Sequence, residues 1–143
     1  MKRKKTLIIA VVVAVVVLIT GGAYAYQPVS AQEEIKRTAL LQHDISIPGR
    51  EVIQDRVDFA PGVVSPTHSH PGEEIAYVLK GSLKYEVQGM SPVTLKAGEN
   101  LFIPAGSVHR ATNVGKETAS ELATYVVEKG KELLIIHPST VLP

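Results

Sequence analysis

Cysteine is absent from this chain of 143 residues. Its absence excludes disulfide bonds, thiolate nucleophiles and metal ligands from cysteine. A charge excess is also missing, because 15 Lys and Arg residues face 14 Asp and Glu residues, for a formal net charge of +1. Positions 2–5 hold four of the basic residues, so the rest of the chain is slightly acidic. This argues against a nucleic-acid surface, and any metal site must rely mainly on histidine and carboxylate side chains.

The first 31 residues carry a membrane-targeting pattern. The cations at positions 2–5 precede an unbroken apolar run from Leu7 to Ile19. This predicts a signal peptide cleaved after Ala25 or after Ala31, where small residues satisfy the cleavage rule. The alternative is an uncleaved signal anchor, because no further charge occurs before Glu33 and about twenty helical residues span a bilayer. Either way the domain is expected outside the cytoplasmic membrane, in the periplasm or extracellular space, and it is membrane-anchored if the leader stays.

The remaining sequence changes character at Arg50. Residues 32–49 are interpreted as a linker and lead-in strand, with a short helix expected around Glu33 to Leu41. Beyond them, short runs rich in Val, Ile, Leu and Tyr are cut by Gly or Pro about every eight to twelve residues, without repeats or long helical patterns. This predicts one all-β domain over residues 50–143. The expected strands are 51–59, 63–68, 74–79, 83–88, 93–96, 101–103, 108–113, 121–127 and 132–136.

Three of the five histidines lie in the middle of this β region. His68 and His70 are two residues apart, so a strand can point both imidazoles to one face. Glu74 follows a Pro-Gly turn, and His109 comes from a separate strand. Three imidazoles and one carboxylate suit a divalent transition metal such as Mn, Fe, Zn, Ni or Cu. The residues therefore predict a metal site with coordination positions left for water or substrate.

These residues belong to two runs with defined spacing. The first is Gly62, five residues, His68-Ser69-His70, three residues, Glu74, six residues and Gly81. The second is Gly98, five residues, Pro104-Ala105-Gly106, two residues, His109, three residues and Asn113. With sixteen residues between them, the runs resemble the two motifs of the cupin superfamily, and the spacing is similar to that of small bacterial quercetin dioxygenase-like cupins. The resemblance covers residues 62–113, about a third of the chain.

The resemblance implies a double-stranded β-helix, a jelly-roll barrel, with a metal ion near its mouth. The family's ligand positions match His68, His70, Glu74 and His109 one by one. The four motif glycines and Pro104 have a separate explanation as scaffold, because tight corners between short strands favour glycine and proline.

The other polar and aromatic residues receive structural interpretations. Glu73, the rival carboxylate beside Glu74, is expected to be solvated, and Asn113 is expected to bond a turn backbone. Alternation along the strand points Arg110 to the surface, opposite its neighbour His109. Surface or terminal positions are expected for His43 and His137, and positions in the core or pocket wall for Tyr77, Tyr85, Phe102 and Tyr125.

The function implied by the resemblance is that of a metal-dependent, dioxygenase-like oxidoreductase for a small organic substrate, with Glu74 also acting as a base. Oxygen-independent isomerase or lyase chemistry would use the same site. A non-catalytic module that binds or senses a metal or small molecule also stays open, as does a metal-free scaffold. The expected partners are a small molecule, the membrane through the N-terminal segment alone, and a second copy of the chain paired through exposed strand edges, without nucleic acid.

Overall fold

The computed structural model describes residues 34–142, so the predicted signal or anchor segment lies outside the described part. No helix within residues 34–142 has the length and apolar character needed to cross a membrane. The described residues form ten strands: β1 (Ile35–Asp44), β2 (Arg50–Phe59), β3 (His68–Ser69), β4 (Gly72–Lys80), β5 (Ser82–Val87), β6 (Val93–Lys96), β7 (Asn100–Ile103), β8 (His109–Asn113), β9 (Ala119–Glu128) and β10 (Ile135–Ile136). The all-β prediction is confirmed for this part of the chain.

The strands form two five-stranded antiparallel sheets. One sheet has the order β1-β2-β9-β4-β7, and the other has the order β10-β3-β8-β5-β6. Inward side chains of both sheets join one buried cluster, which includes Phe59, Val78, Leu83, Ala111 and Tyr125. The sheets therefore pack face to face as a sandwich, with side chains alternating between core and solvent as in β4 and β9.

The segment before Arg50 contains a strand where a short helix was expected. The helix prediction is wrong for Ile35–Leu41, which belong to β1. β1 pairs with β2 from Ile35 opposite Phe59 to Asp44 opposite Glu51, with an irregularity between Ala39 and Leu41. The hydrogen bonds of this ladder, and packing of Ile35 on the core, outweigh the helical preference of Lys, Arg, Ala, Leu and Gln.

Two further strands are shorter than predicted. The expected strand 63–68 is reduced to β3, preceded by an isolated bridge between Val64 and Thr112. Pro66 lies between them and lacks the N–H group that a continuous ladder needs. The expected strand 132–136 is reduced to β10. The other predicted strands agree with the observed ones within two residues at each end.

The glycines of the two motifs have the backbone conformation that the sequence predicted. Gly62, Gly81, Gly98 and Gly106 have φ values of 76°, 77°, 92° and 71°. Gly81 is also crowded, because a Cβ atom there would lie 2.9 Å from Cβ of Ala119. This corner between β4 and β5 therefore depends on glycine both for its φ angle and for its small size.

Candidate metal centre

The predicted ligands come together between the two sheets. His68 lies on β3 directly opposite His109 on β8, His70 follows β3, and Glu74 lies on β4 of the other sheet. A ring nitrogen from each histidine lies within 4.8 Å of the other two, and all four side chains are buried. The structure thus brings together four residues that span more than forty positions of the sequence.

Main-chain carbonyl groups orient all three imidazoles. The Nδ1 atoms of His68 and His70 lie 2.7 Å from the carbonyl oxygens of Pro66 and Leu133, and Nδ1 of His109 lies 2.9 Å from that of Ser107. A carbonyl oxygen can only accept, so each Nδ1 carries the hydrogen. The Nε2 atom of a neutral ring then has a free lone pair, which is the arrangement that metal-binding histidines use.

Glu74 faces two of these Nε2 atoms. Its Oε2 atom lies 3.1 Å from Nε2 of His70 and 3.1 Å from Nε2 of His109. Nε2 of His70 and Oε2 of Glu74 are buried without a hydrogen-bond partner among the described residues. Two lone-pair atoms in contact repel each other, so the geometry calls for a cation or a proton between them.

The pKa values of the centre also indicate that a positive charge belongs beside Glu74. Burial raises the pKa of Glu74, but the close contacts with His109 and His70 outweigh it and bring the pKa down to about 2. Burial lowers the pKa of His109, yet Glu74 holds it above its usual value. Burial, followed by the charge of His109, lowers the pKa of His68 to about 3, so this ring is neutral and able to act as a ligand.

The centre opens into a cavity of about 390 Å³. This volume is in the usual range for small-molecule sites. The edge strands β1 and β10 contribute to its wall through Ile35, Arg37 and Ile136. Its other lining residues include His68, Glu74, Tyr85, His109 and Glu121.

Sequence reasoning missed a second buried carboxylate in the cavity wall, Glu121. The Tyr85 hydroxyl donates a hydrogen bond of 2.5 Å to Oε2 of Glu121. Burial, followed by the negative charge of Glu74, raises the pKa of Glu121 to about 7. A signal for it was present, because Glu121 shares the inward alternation of Ala119, Ala123 and Tyr125 along β9. Arg37 was also missed, since it lies in the segment interpreted as linker or helix.

Most predictions for polar residues outside the metal centre agree with the structure. The Asn113 side-chain amide donates to carbonyl oxygens of Phe59, Ala60 and Glu117, as predicted for a backbone-bonding residue. Arg110 points away from the site and pairs with Glu86 on β5.

The aromatic assignments and the remaining histidines give a mixed outcome. Tyr85 and Tyr125 are buried as predicted, but Tyr77 and Phe102 are 40% and 55% exposed on the outer face of their sheet. Placement of those two in the core or pocket wall was wrong, because strand alternation carries them outward. His43 is exposed as predicted. His137 is near the end of the sequence as predicted, but it is half-buried, and its Nε2 atom lies 2.8 Å from Oγ of Ser69 on β3.

Comparison with known proteins gives a family match that includes most of the site. The family model described as "Cupin domain" matches residues 55–130, which is more than half of the chain. Oxalate oxidase GF-2.8 of Triticum aestivum is 39% identical over 82 residues, which cover 52% of this chain and 37% of that protein. Germin-like protein subfamily 2 member 2 of Arabidopsis thaliana is 39% identical over 75 residues, covering 49% and 34%. The chain thus spans little more than a third of these relatives.

Solved structures support the fold. An oxalate oxidase in complex with the substrate analogue glycolate has a TM-score of 0.62 at 30% identity, covering 76% of this chain and 58% of that one. KdgF from Halomonas sp. has a TM-score of 0.56 at 20% identity, covering 68% and 82%. The second similarity concerns the fold alone.

Proposed function

The chain belongs to the cupin family, and we propose that it is an exported oxidoreductase with one divalent transition-metal ion. The proposed ligands are His68, His70, Glu74 and His109. The ion is one of Mn, Fe, Zn, Ni and Cu, all of which accept imidazole and carboxylate ligands. The substrate is a small organic molecule held in the adjoining cavity.

The contact between Nε2 of His70 and Oε2 of Glu74 carries the metal proposal. Both atoms are buried, 3.1 Å apart and without a hydrogen-bond partner in the described structure. Nδ1 of His70 already donates to the Leu133 carbonyl, so a neutral His70 has only a lone pair to offer Glu74. A cation that accepts both lone pairs turns this repulsion into attraction. The donor set fits a metal ion for this reason.

A metal ion bound there would act as a Lewis acid and stabilise negative charge on a substrate oxygen. The chain's own residues have three tasks around it. The carbonyl oxygens of Pro66, Leu133 and Ser107 keep the imidazoles oriented. Glu74, on the cavity wall, is the proposed acceptor of a substrate proton. Glu121 lines the same cavity and is the second carboxyl group proposed for proton exchange.

The relatives support the class of reaction and leave the substrate open. The name oxalate oxidase belongs to proteins of which this chain covers little more than a third. We therefore propose oxidoreductase activity on a small organic molecule, without assigning oxalate to this chain. Export is proposed from the cationic and apolar pattern of residues 1–31.

Elemental analysis of protein recovered from the exported fraction is the decisive test. We expect about one transition-metal ion per chain, since the three histidines form one cluster and Glu74 contacts two of them. Protein that stays metal-free after incubation with each of the five ions would contradict the proposal.

Oxygen uptake by the metal-loaded protein then tests the reaction class. A panel of small enols, catechols and hydroxy acids is added, and oxygen consumption together with substrate loss is the expected result. Substrate loss without oxygen consumption would instead indicate an isomerase or lyase. Binding without turnover for every metal would indicate a binding module, and either result would replace the oxidoreductase proposal.

A further inference from the structure

Arg37 brings a positive charge to the cavity from outside the family match. It lies on β1, whereas the matched region begins at residue 55. Its side chain lines the cavity together with His68, Glu74 and His109. About a third of the side chain is exposed, at 32%, so a molecule that enters the cavity can reach it.

The Arg37 guanidinium is linked to the candidate metal centre through one residue. Nη1 of Arg37 donates a hydrogen bond of 3.1 Å to Oη of Tyr125. The Tyr125 ring, which is fully buried, packs against His70 with 4.6 Å between ring centroids. Tyr125 therefore holds Nη1 of the guanidinium near the centre, and β1 positions the rest of the Arg37 side chain.

Most donors of this guanidinium are free to bind a ligand. An arginine has five N–H donors, and within residues 34–142 Arg37 donates a hydrogen bond to Oη of Tyr125 alone. Asp55 lies nearby, but its Oδ2 atom is 3.7 Å from Nη1, beyond hydrogen-bond distance. Asp55 thus balances part of the charge without occupying the donors. Such a planar fork matches the two oxygens of a carboxylate.

We propose that the cavity binds a small carboxylic acid as its anion, with the carboxylate on Arg37 and the reacting part of the molecule toward the histidines. The proposal rests on the proposed function, because it names the substrate class of the same site. It makes Arg37 a specificity-determining residue that the two sequence motifs do not contain. The region that matches the cupin domain contains the proposed metal ligands, and β1 contributes the positive charge that selects the substrate.

The other acidic groups of the cavity are compatible with an anion. Glu74 faces His70 and His109, so its negative charge is directed toward the centre. Glu121 accepts a hydrogen bond from Tyr85, and burial followed by the charge of Glu74 raises its pKa to about 7. A carboxyl group with a raised pKa is ionised less of the time and repels an anion correspondingly less.

The test compares how tightly the full chain binds each acid and the corresponding amide. Calorimetric titration measures binding of acetate, glycolate and benzoate, each against acetamide, glycolamide and benzamide. Wild type is compared with Arg37→Gln, Arg37→Lys and Lys36→Gln. The Lys36→Gln variant is the matched control, because it removes an equal charge from the neighbouring, exposed position of β1. Metal content is measured in every sample.

We expect wild type to bind at least one acid about tenfold or more tightly than its amide, as for a charge-assisted hydrogen-bonded pair. Arg37→Gln should remove this preference, Arg37→Lys should keep part of it, and Lys36→Gln should leave it unchanged. The amide affinities should not change in any variant. A structural role of Arg37 alone would lower acid and amide binding together, and that result would overturn the proposal.

Metal content separates this proposal from the proposed function. A metal-free wild type that prefers acids, and loses the preference in Arg37→Gln, supports the carboxylate site and contradicts the metal centre. A metal-loaded wild type without any preference for acids overturns the carboxylate site and leaves the metal centre in place. Arg37→Gln that retains the preference also overturns the carboxylate site.

Discussion

At the scale of single residues, the centre depends on which nitrogen of each ring is free. The carbonyl oxygens of Pro66, Leu133 and Ser107 each bind an Nδ1 atom, which leaves the Nε2 atoms free. Those of His70 and His109 lie 3.1 Å from Glu74. The sequence predicted the four side chains from their spacing. It did not predict the Leu133 carbonyl as a partner, because Leu133 is 63 residues from His70 and only the closed sandwich brings them together.

Replacement of one ligand tests the centre directly. In His70→Ala an imidazole is lost and Glu74 keeps an unpaired buried oxygen, so metal affinity should fall by about tenfold or more. Elemental analysis after dialysis against a weak chelator measures the loss. The control is His43→Ala, which removes an exposed histidine from β1 and should retain full occupancy. Equal metal content in the two variants would count against the site.

The buried carboxyl of Glu121 makes stability depend on pH. Its pKa is raised to about 7 by burial and then by the charge of Glu74, so the folded chain holds a proton that the unfolded chain releases near pH 4.5. This stabilising contribution is complete below about pH 4.5 and is lost as the pH rises through about 7, with a slope of up to about 1.4 kcal/mol per pH unit.

Urea unfolding of metal-free protein from pH 5 to pH 8 measures that contribution. The Glu121→Gln variant cannot lose a proton, so its free energy of unfolding should fall less over this range than that of wild type. Glu117→Gln removes a carboxylate that is 82% exposed and should follow wild type. Parallel curves for wild type and Glu121→Gln would show that Glu121 is ionised throughout.

At the scale of elements, prediction succeeded where local chemistry fixes the chain. Alternating apolar residues and glycine corners located β2 and β4 to β9, because residues two apart on a strand share a face and are buried together. β1 was missed in part because Lys, Arg, Ala and Leu favour a helix locally, and its partner β2 decides otherwise. Tyr77 and Phe102 were misplaced because aromatic character was given more weight than alternation.

The corner at Gly81 gives a prediction at this scale. A Cβ atom there meets Ala119 at 2.9 Å in addition to the strain of a φ angle of 77°. Gly89 has a φ angle of 80° with no atom within 4 Å of the same position. Both Gly→Ala changes should lower the free energy of unfolding by about 1–2 kcal/mol through backbone strain, and Gly81→Ala should lose about 1–3 kcal/mol more through the contact. Equal losses in chemical denaturation would contradict the role assigned to Ala119.

At the scale of the whole molecule, the site divides between two parts of the chain. The region that matches the cupin domain contains all four proposed metal ligands. β1 lies before that region, adds an edge strand to the first sheet and carries both Ile35 and Arg37 to the cavity wall. The scaffold is therefore shared with the family, whereas part of the cavity wall comes from a segment that the family motifs do not contain.

Two truncations test this division. A chain that begins at Gln32 retains β1 and should match the full chain in thermal stability, metal content and preference for acids over amides. A chain that begins at Arg50 loses β1, exposes β2 as a new sheet edge and uncovers part of the core beneath Ile35. It should be less stable by about 2 kcal/mol or more and lose the preference for acids, since Arg37 is gone. The four ligands remain in it, so metal binding should persist at a temperature where the shorter chain is folded. Loss of metal from the folded shorter chain would show that β1 is part of the centre itself.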